Sequence, residues 1–301
     1  MERTDNSDAR AADSGRRFWA WAAGSLILRV ALVYSPLSSS FSFRPEVSTP
    51  LTSLRRLAEG YWLKQSSMSP YAGSMYHASP LFLHLIGPLI FQTNTFELYN
   101  RKLCSIPNLI ADIVSAVLLR KCGKLLHSSY RSNLQLLGIA SDSKSPGDTA
   151  ALTYLWNPLT IVSCVGLSTS SIENSFVILA LYGACSGSAS LAAIGWVIAT
   201  HLSLYPVILV IPVILLLTHG PDTPPRKLFV TKEPKTQQNG TLRKIIVFFC
   251  WAILWVACVL TICHVSIKEH SNLLEMLRRT HGFILEIEDL SPNIGVLWYF
   301  T

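Results

Sequence analysis

Three ionisable side chains stand inside apolar runs of this chain: Arg29, Asp112 and His201. Removing such a group from water is costly, so each must face a partner or a polar cavity rather than hydrocarbon. Arg29 and Asp112 carry opposite charges and can pair. Asp112 follows Pro107 and Asn108, so its helix can present a polar stripe inward. The chemistry available there is either clamping of helices or the lining of a ligand cavity. A second group of residues is polar at the edges of apolar runs. Asn157-Pro158 opens one such run, and the cluster Ser168–Asn174 separates it from the next. Asn174, and Asn293 far along the chain, can each donate and accept hydrogen bonds, which suits phosphate or sugar hydroxyls. Helix capping by Ser171 and Ser291 is the competing use of the same two places. A third group is Ser69-Pro70-Tyr71-Ala72-Gly73 with His77 and Ser79-Pro80, whose Pro and Gly residues specify turns. Tyr71 and His77 there could touch a headgroup or substrate at a membrane mouth, or be structural.

No catalytic constellation accompanies these groups. The chain holds no GxSxG, HExxH, phosphate loop or GxGxxG. A sugar transferase acting on lipid-phosphate donors needs a carboxylate in its first exoplasmic loop, as base and often beside a metal. Here no Asp lies between Asp13 and Asp112, and Glu46, Glu59 and Glu97 are unpaired. The seven Cys residues show no CxxC or Cys/His ligand spacing. Cys164, Cys185, Cys250, Cys258 and Cys263 lie in apolar runs and read as buried thiols. No metal, no cofactor and no nucleic acid are expected.

The elements that must position these residues are membrane helices. Half the residues are hydrophobic and 14% are charged, against about 25% in a soluble domain. A helix crossing hydrocarbon needs roughly 20 residues. The apolar runs give one all-α transmembrane domain over 1–301, with spans at about 18–36, 103–120, 150–167, 172–187, 188–203, 204–218 and 243–266. The first run contains Arg29 and lacks a small-residue cleavage site, so it reads as a retained helix rather than a signal peptide. The apolar stretch 79–92 is short and contains Pro80 and Pro88, which makes it non-spanning. Lys and Arg fix the orientation. Loops 120–149 and 219–244, with Arg16 and Arg17 at the mouth of the first helix, are expected to be cytoplasmic. An even number of spans then separates each pair, and 37–102 becomes a long luminal loop. Within it, Leu51, Leu54, Leu57, Tyr61 and Trp62 fall near one helical face, which predicts an amphipathic helix on the membrane surface with Arg55 and Arg56 on its polar side. The sequon Asn239-Gly240-Thr241 falls on the cytoplasmic side and is expected to be unused.

An ordered set of short motifs resembles one family. It runs from Ser35-Pro36-Leu37 through Ser69-Pro70-Tyr71-x-Gly73, His77 and Pro80-Leu81 to Asn157-Pro158 with Ser163-Cys164. It continues with Ser168-Thr169 and Asn174, Ser203-Leu204-Tyr205-Pro206 and Gly282-Phe283-Ile284-Leu285. It ends with Asp289-Leu290-Ser291-Pro292-Asn293-Ile294-Gly295 and Trp298-Tyr299-Phe300. The set is similar to the U subunit of the glycosylphosphatidylinositol (GPI) transamidase, the PIG-U family. The resemblance implies a non-catalytic, multi-pass subunit in the endoplasmic-reticulum membrane, with the cysteine nucleophile on another subunit. It implies a fold similar to the lipid-linked mannosyltransferases (GT-C-like), and as partners the GPI lipid and the other transamidase subunits. Family members continue with several more membrane helices beyond Asn293, so the chain is expected to be a C-terminally truncated form. A polyprenyl-phosphate-dependent mannosyltransferase is the alternative, disfavoured by the loop's carboxylates. A transporter is disfavoured by the long loop and the lack of a repeat.

The charge pattern makes a direct prediction. Protease added to sealed microsomes should cut both loop 120–149 and loop 219–244, and protection of either would contradict the seven-span orientation.

Overall fold

The computed structural model describes residues 2–44, 47–49, 52–90, 99–136, 145–220, 235–268 and 271–286. Among these the regular structure is helical, with a single isolated antiparallel bridge between Ser53 and Ser168. The long helices are α1 (Glu2–Tyr34), α6 (Tyr99–Leu136) and α12 (Lys235–Ile267). Between α1 and α6 come α2 (Leu37–Phe43), α3 (Leu54–Gln65), α4 (Pro80–Leu85) and α5 (Gly87–Ile90). Then follow α7 (Pro146–Trp156), α8 (Pro158–Val165), α9 (Ser170–Cys185), α10 (Ala189–Ser203), a 3₁₀ turn (Tyr205–Leu209) and α11 (Val210–His219). After α12 come α13 (Leu273–Leu277), a π turn (Arg278–Gly282) and α14 (Phe283–Glu286).

Two stretches, Leu103–Ser128 of α6 and Gly240–Ile267 of α12, are long and apolar enough to cross a bilayer. A third candidate is Ser14–Tyr34 with Leu37–Phe43, bent by 81° where Ser35 precedes Pro36, a dipeptide that disfavours the α conformation at its first residue. The apolar block after Ser170 divides into α9, α10 and the 3₁₀ turn with α11. The first division is a Schellman motif. Gly187 takes φ +73°, its N–H reaches Ala184 O at 3.1 Å, and Ser188 N reaches Gly183 O at 2.9 Å. The run 150–167 is not one helix: it breaks at Asn157, whose side chain accepts the Leu159 N–H at 2.9 Å and starts α8 at Pro158.

In lipid, apolar burial between helices gives little driving force, so close packing of small residues takes its place. Gly183, Ala184, Ala192, Ala193, Gly195 and Ala180 are buried where α9 meets α10, and a Cβ on either glycine would collide with the facing helix's backbone. Gly123 of α6 and Gly147 of α7 approach each other in the same way. Helix α12 buries one stripe, Phe248, Ala252, Val259, Cys263 and Ile267, and exposes Ile246, Phe249, Trp251, Ile253 and Leu254. That exposed surface is suited to lipid and too large for a soluble monomer.

Two expectations are corrected. Leu54 and Leu57 of α3 do share a face, but with Ala58 and Leu63 they are buried in the protein, while Trp62 is exposed on the other side. The apolar stripe of α3 thus packs on the fold rather than lying on the membrane surface. Of the thiols, Cys164, Cys185 and Cys263 are buried, whereas Cys258 is half-buried and Cys250 is exposed. Cys250 lies on the open face of α12, which periodicity alone does not reveal.

Close packing of α9 on α10 predicts that Gly195→Leu lowers the unfolding free energy of the detergent-purified chain by about 1–3 kcal/mol. Gly240→Leu is the control, because a Cβ at Gly240 meets open space. Equal thermal stability of the Gly195 variant and wild type would contradict this packing.

Candidate functional site

The break between α7 and α8 leaves backbone carbonyls without helical partners. Pro158 has no N–H for Tyr154 O, which keeps only a long turn bond from Asn157 N–H at 3.4 Å, and Leu159 N–H is taken by Asn157 rather than by Leu155 O. Unpaired carbonyls inside a bilayer each cost several kcal/mol, roughly as in any water-free medium. The structure meets them with side chains. Thr160 Oγ1 donates to Tyr154 O at 2.7 Å, and Ser25 Oγ and Arg29 Nη1 of α1 donate to Leu155 O at 2.9 and 2.7 Å. Arg29 Nε pairs with Asp112 Oδ2 of α6 at 3.2 Å, with both side chains 1% exposed. Arg29 also donates to Thr160 Oγ1 at 3.2 Å and to Ser25 Oγ, and Tyr154 donates to Asp112 Oδ1 at 3.1 Å. One guanidinium thus joins α1, α6, α7 and α8.

A second polar clamp joins three of these helices, α1, α6 and α7, at another level. Asp148 at the start of α7 accepts from Ser14 of α1 at 2.6 Å and from Arg120 of α6, whose guanidinium lies 4.2 Å from the centre of the Phe18 ring. Burial pushes the Asp148 carboxyl up, but the hydrogen bonds from Arg120 and Ser14 outweigh it and hold the group below the usual carboxylate range.

The hairpin between α8 and α9 is the next element. Leu167 sits in the left-handed region at φ +58°, uncommon for a residue with a Cβ. Its carbonyl accepts from Leu54 N at 3.1 Å, Thr169 N donates to Thr52 O at 2.8 Å, and Asn108 Nδ2 donates to Ser168 O at 2.9 Å. The hairpin therefore fixes the start of α3, and α3 supports the turn that follows it. Tyr71 and Tyr76 are buried there, donating to Ala78 O at 3.2 Å and Ser79 O at 2.8 Å. Burial pushes both phenols well above their ordinary pKa, so they remain neutral donors. Ser79 Oγ lies 2.7 Å from His201 Nε2, which lies 3.4 Å from Cys263 Sγ, so this turn is docked on α10 and α12.

Of the residues singled out from the sequence, Asp112 lies in the ion pair, and Asn157 spends its side-chain oxygen on capping α8. Tyr71 and His77 share the turn before α4. His77 Nε2 lies 3.2 Å from Ser74 O and Nδ1 3.1 Å from Arg279 O, and its ring stacks on Phe283 with centroids 3.6 Å apart. Asn174 is exposed near the start of α9, where its side chain hydrogen-bonds Tyr154, the partner of Asp112. Ser171 is buried inside α9, and Thr169 holds the N-cap position instead. Asn293, Ser291, Glu46 and the stretch 289–295 lie outside the described residues. Sequence reasoning missed a cavity of about 540 Å³ lined by His77, Glu275, Arg278, Arg279, Phe283 and Glu286, among others. The adjacent arginines were its only signal. His281 beside it is held below the ordinary histidine pKa by burial.

Comparison of the sequence with known proteins points to one family. The family described as GPI transamidase subunit PIG-U matches residues 23–301. The chain is 31% identical over 281 residues to the human GPI-anchor transamidase component PIGU, covering 92% of this chain and 61% of the relative. It is 26% identical over 282 residues to the Saccharomyces cerevisiae GPI transamidase component GAB1, covering 93% of this chain and 60% of the relative. The chain thus spans about three-fifths of the length of the curated relatives it matches.

The clamp makes a stability prediction. Asp112→Ala leaves the Arg29 charge buried and unpaired and should cost about 3–5 kcal/mol. The joint replacement Arg29→Met with Asp112→Leu removes both charges and should recover much of that loss, read as thermal unfolding of the purified chain. A neutral single variant would contradict the assignment.

Proposed function

Because the chain belongs to the GPI transamidase subunit PIG-U family, we propose that it serves as a membrane subunit of a GPI transamidase, holding the GPI lipid and scaffolding the subunits that attach it to proteins. The single observation that carries this reading is the family match over residues 23–301. The curated relatives are named as transamidase components. In this proposal the subunit is non-catalytic and resides in the endoplasmic-reticulum membrane with its N-terminus cytoplasmic. Its described helical segments α1, α6, α7 with α8, α9, α10, the 3₁₀ turn with α11, and α12 serve as seven spans of a GT-C-like fold. The short segments, α10 with 15 residues and α11 with 10, are accommodated by local thinning or by continuous helical neighbours. Residues 52–85, with α3 anchored by the hairpin and the turn before α4 docked on α10 and α12, support the reading of a built luminal surface rather than a connector.

Loop carboxylates bear on the non-catalytic reading. Glu59 packs against Gly73, where a Cβ would collide with its carboxylate, and among the described residues it belongs to no group of three or more His, Cys, Asp or Glu side chains. The affinity-tagged chain purified from microsomes should retain the other transamidase subunits. Glu59→Gln and Glu46→Gln in a full-length background should leave GPI attachment near wild type. Failure to retain any subunit would contradict membership of the complex. A loss of about 10³-fold in attachment in either Gln variant would contradict the non-catalytic role.

A further inference from the structure

We propose that the cavity between Arg278, Arg279, Glu275 and Glu286 binds the headgroup of a membrane phospholipid that carries both a phosphate and a primary ammonium. The cavity is about 540 Å³, within the range of small-ligand sites. Its four charged side chains are exposed, and among the described residues no ion pair joins any of them. Among the described residues, Glu275 accepts from Ser271 Oγ at 2.8 Å. The arginines occupy a π turn, Arg278–Gly282. Such a turn has more residues per revolution than an α-helix, so successive side chains diverge less and both can reach one cavity; π turns also recur at functional sites.

The charges select the ligand. A guanidinium presents a planar fork of donors that matches phosphate oxygens. Two carboxylates beside it repel a purely anionic headgroup and accept hydrogen bonds from an ammonium with N–H donors. A trimethylammonium group has no N–H and is held instead by aromatic faces. The aromatic ring here, Phe283, has one face taken by the stacked ring of His77, which leaves a single face where an aromatic cage presents several. Each His77 nitrogen faces a backbone carbonyl, and the one that carries the proton donates there, so the ring turns no donor toward the ligand. The membrane is the source because Leu274 and Leu285, 80% and 75% exposed, flank the charged groups. Exposed leucines beside arginines fit the boundary between headgroups and acyl chains, and the segment follows α12 directly.

This assignment goes beyond the transamidase-subunit reading and is tested on the isolated chain, so its failure leaves that reading standing. The full chain in detergent is titrated with phosphatidylethanolamine, phosphatidylcholine and phosphatidylglycerol, and bound lipid is counted by native mass spectrometry. Phosphatidylethanolamine should bind roughly tenfold tighter than either competitor, the scale of one charge-assisted hydrogen bond. The pair Arg278→Gln with Arg279→Gln should abolish that preference, and the pair Arg278→Lys with Arg279→Lys, which keeps the charge but loses the fork, should retain only part of it. Glu275→Gln with Glu286→Gln should shift the preference toward phosphatidylglycerol. Equal binding of the three lipids, or an unchanged preference in the Gln variants, would overturn the site. Displacement by inorganic phosphate as readily as by phosphoethanolamine would overturn the zwitterionic assignment. Phosphoethanolamine binding as tightly as the intact lipid would overturn the membrane source.

Discussion

A charge that cannot be left alone in hydrocarbon organises this fold. Arg29 is 1% exposed, and everything it donates to is a consequence of that burial. Asp112 compensates its charge, while Leu155 O, Ser25 and Thr160 take its remaining donors. Buried pairs are often no more stabilising than apolar residues of the same volume, so the value of this one lies in where it holds the chain. It lies at the break between α7 and α8, where Pro158 and the cap of Asn157 release backbone carbonyls. A hydrophobic replacement could fill the volume but would leave Leu155 O to Ser25 alone and would no longer tie α1 to Thr160 of α8.

The break then determines what lies beyond it. Helix α8 is only Pro158–Val165, and its C-terminal turn carries Leu167 in a left-handed conformation. That turn hydrogen-bonds to residues 52–54 and receives the side chain of Asn108 from α6. Helix α3 follows from this anchor, and the buried tyrosines of the next turn pack beneath it. Gly60 leaves room for the Tyr76 ring, and Gly73 for Glu59. At the far side of the turn, His77 and Ser79 reach α10, α12 and the segment 271–286. A chain of short-range contacts thus connects the ion pair to the mouth on which the lipid-facing proposals rest.

The sequence made the helices legible because apolar runs and their Gly, Ser and Pro breaks are local signals. The division of the block after Ser170 shows this, since Gly187 and Pro206 punctuate it. The Arg29–Asp112 pairing was also legible: two opposite charges in hydrocarbon have few alternatives to each other. The break at Asn157 was visible only as a dipeptide, because an Asn-Pro step can begin a helix as well as interrupt one. The stripe of α3 misled on its destination. Periodicity shows that a face is apolar, not whether lipid or protein covers it, and the answer came from the hairpin at 166–169, over a hundred residues away. The cavity at Arg278 and Arg279 was illegible because it joins residues 77 and 272–286, which meet only through the docking of the turn before α4.

The most direct test of this account is hydrogen exchange of the full chain in lipid nanodiscs, comparing wild type with Asp112→Asn. If the ion pair holds the break, exchange should rise at amides 157–169 and, through the hairpin, at 52–58. The amides of α12, a continuous helix that contributes no group to the ion pair or to the hydrogen bonds of the hairpin, should remain as protected as in wild type. Unchanged protection at 157–169, or a rise spread evenly over α12 as well, would contradict the claim that one buried pair positions the hairpin and the surface built on it.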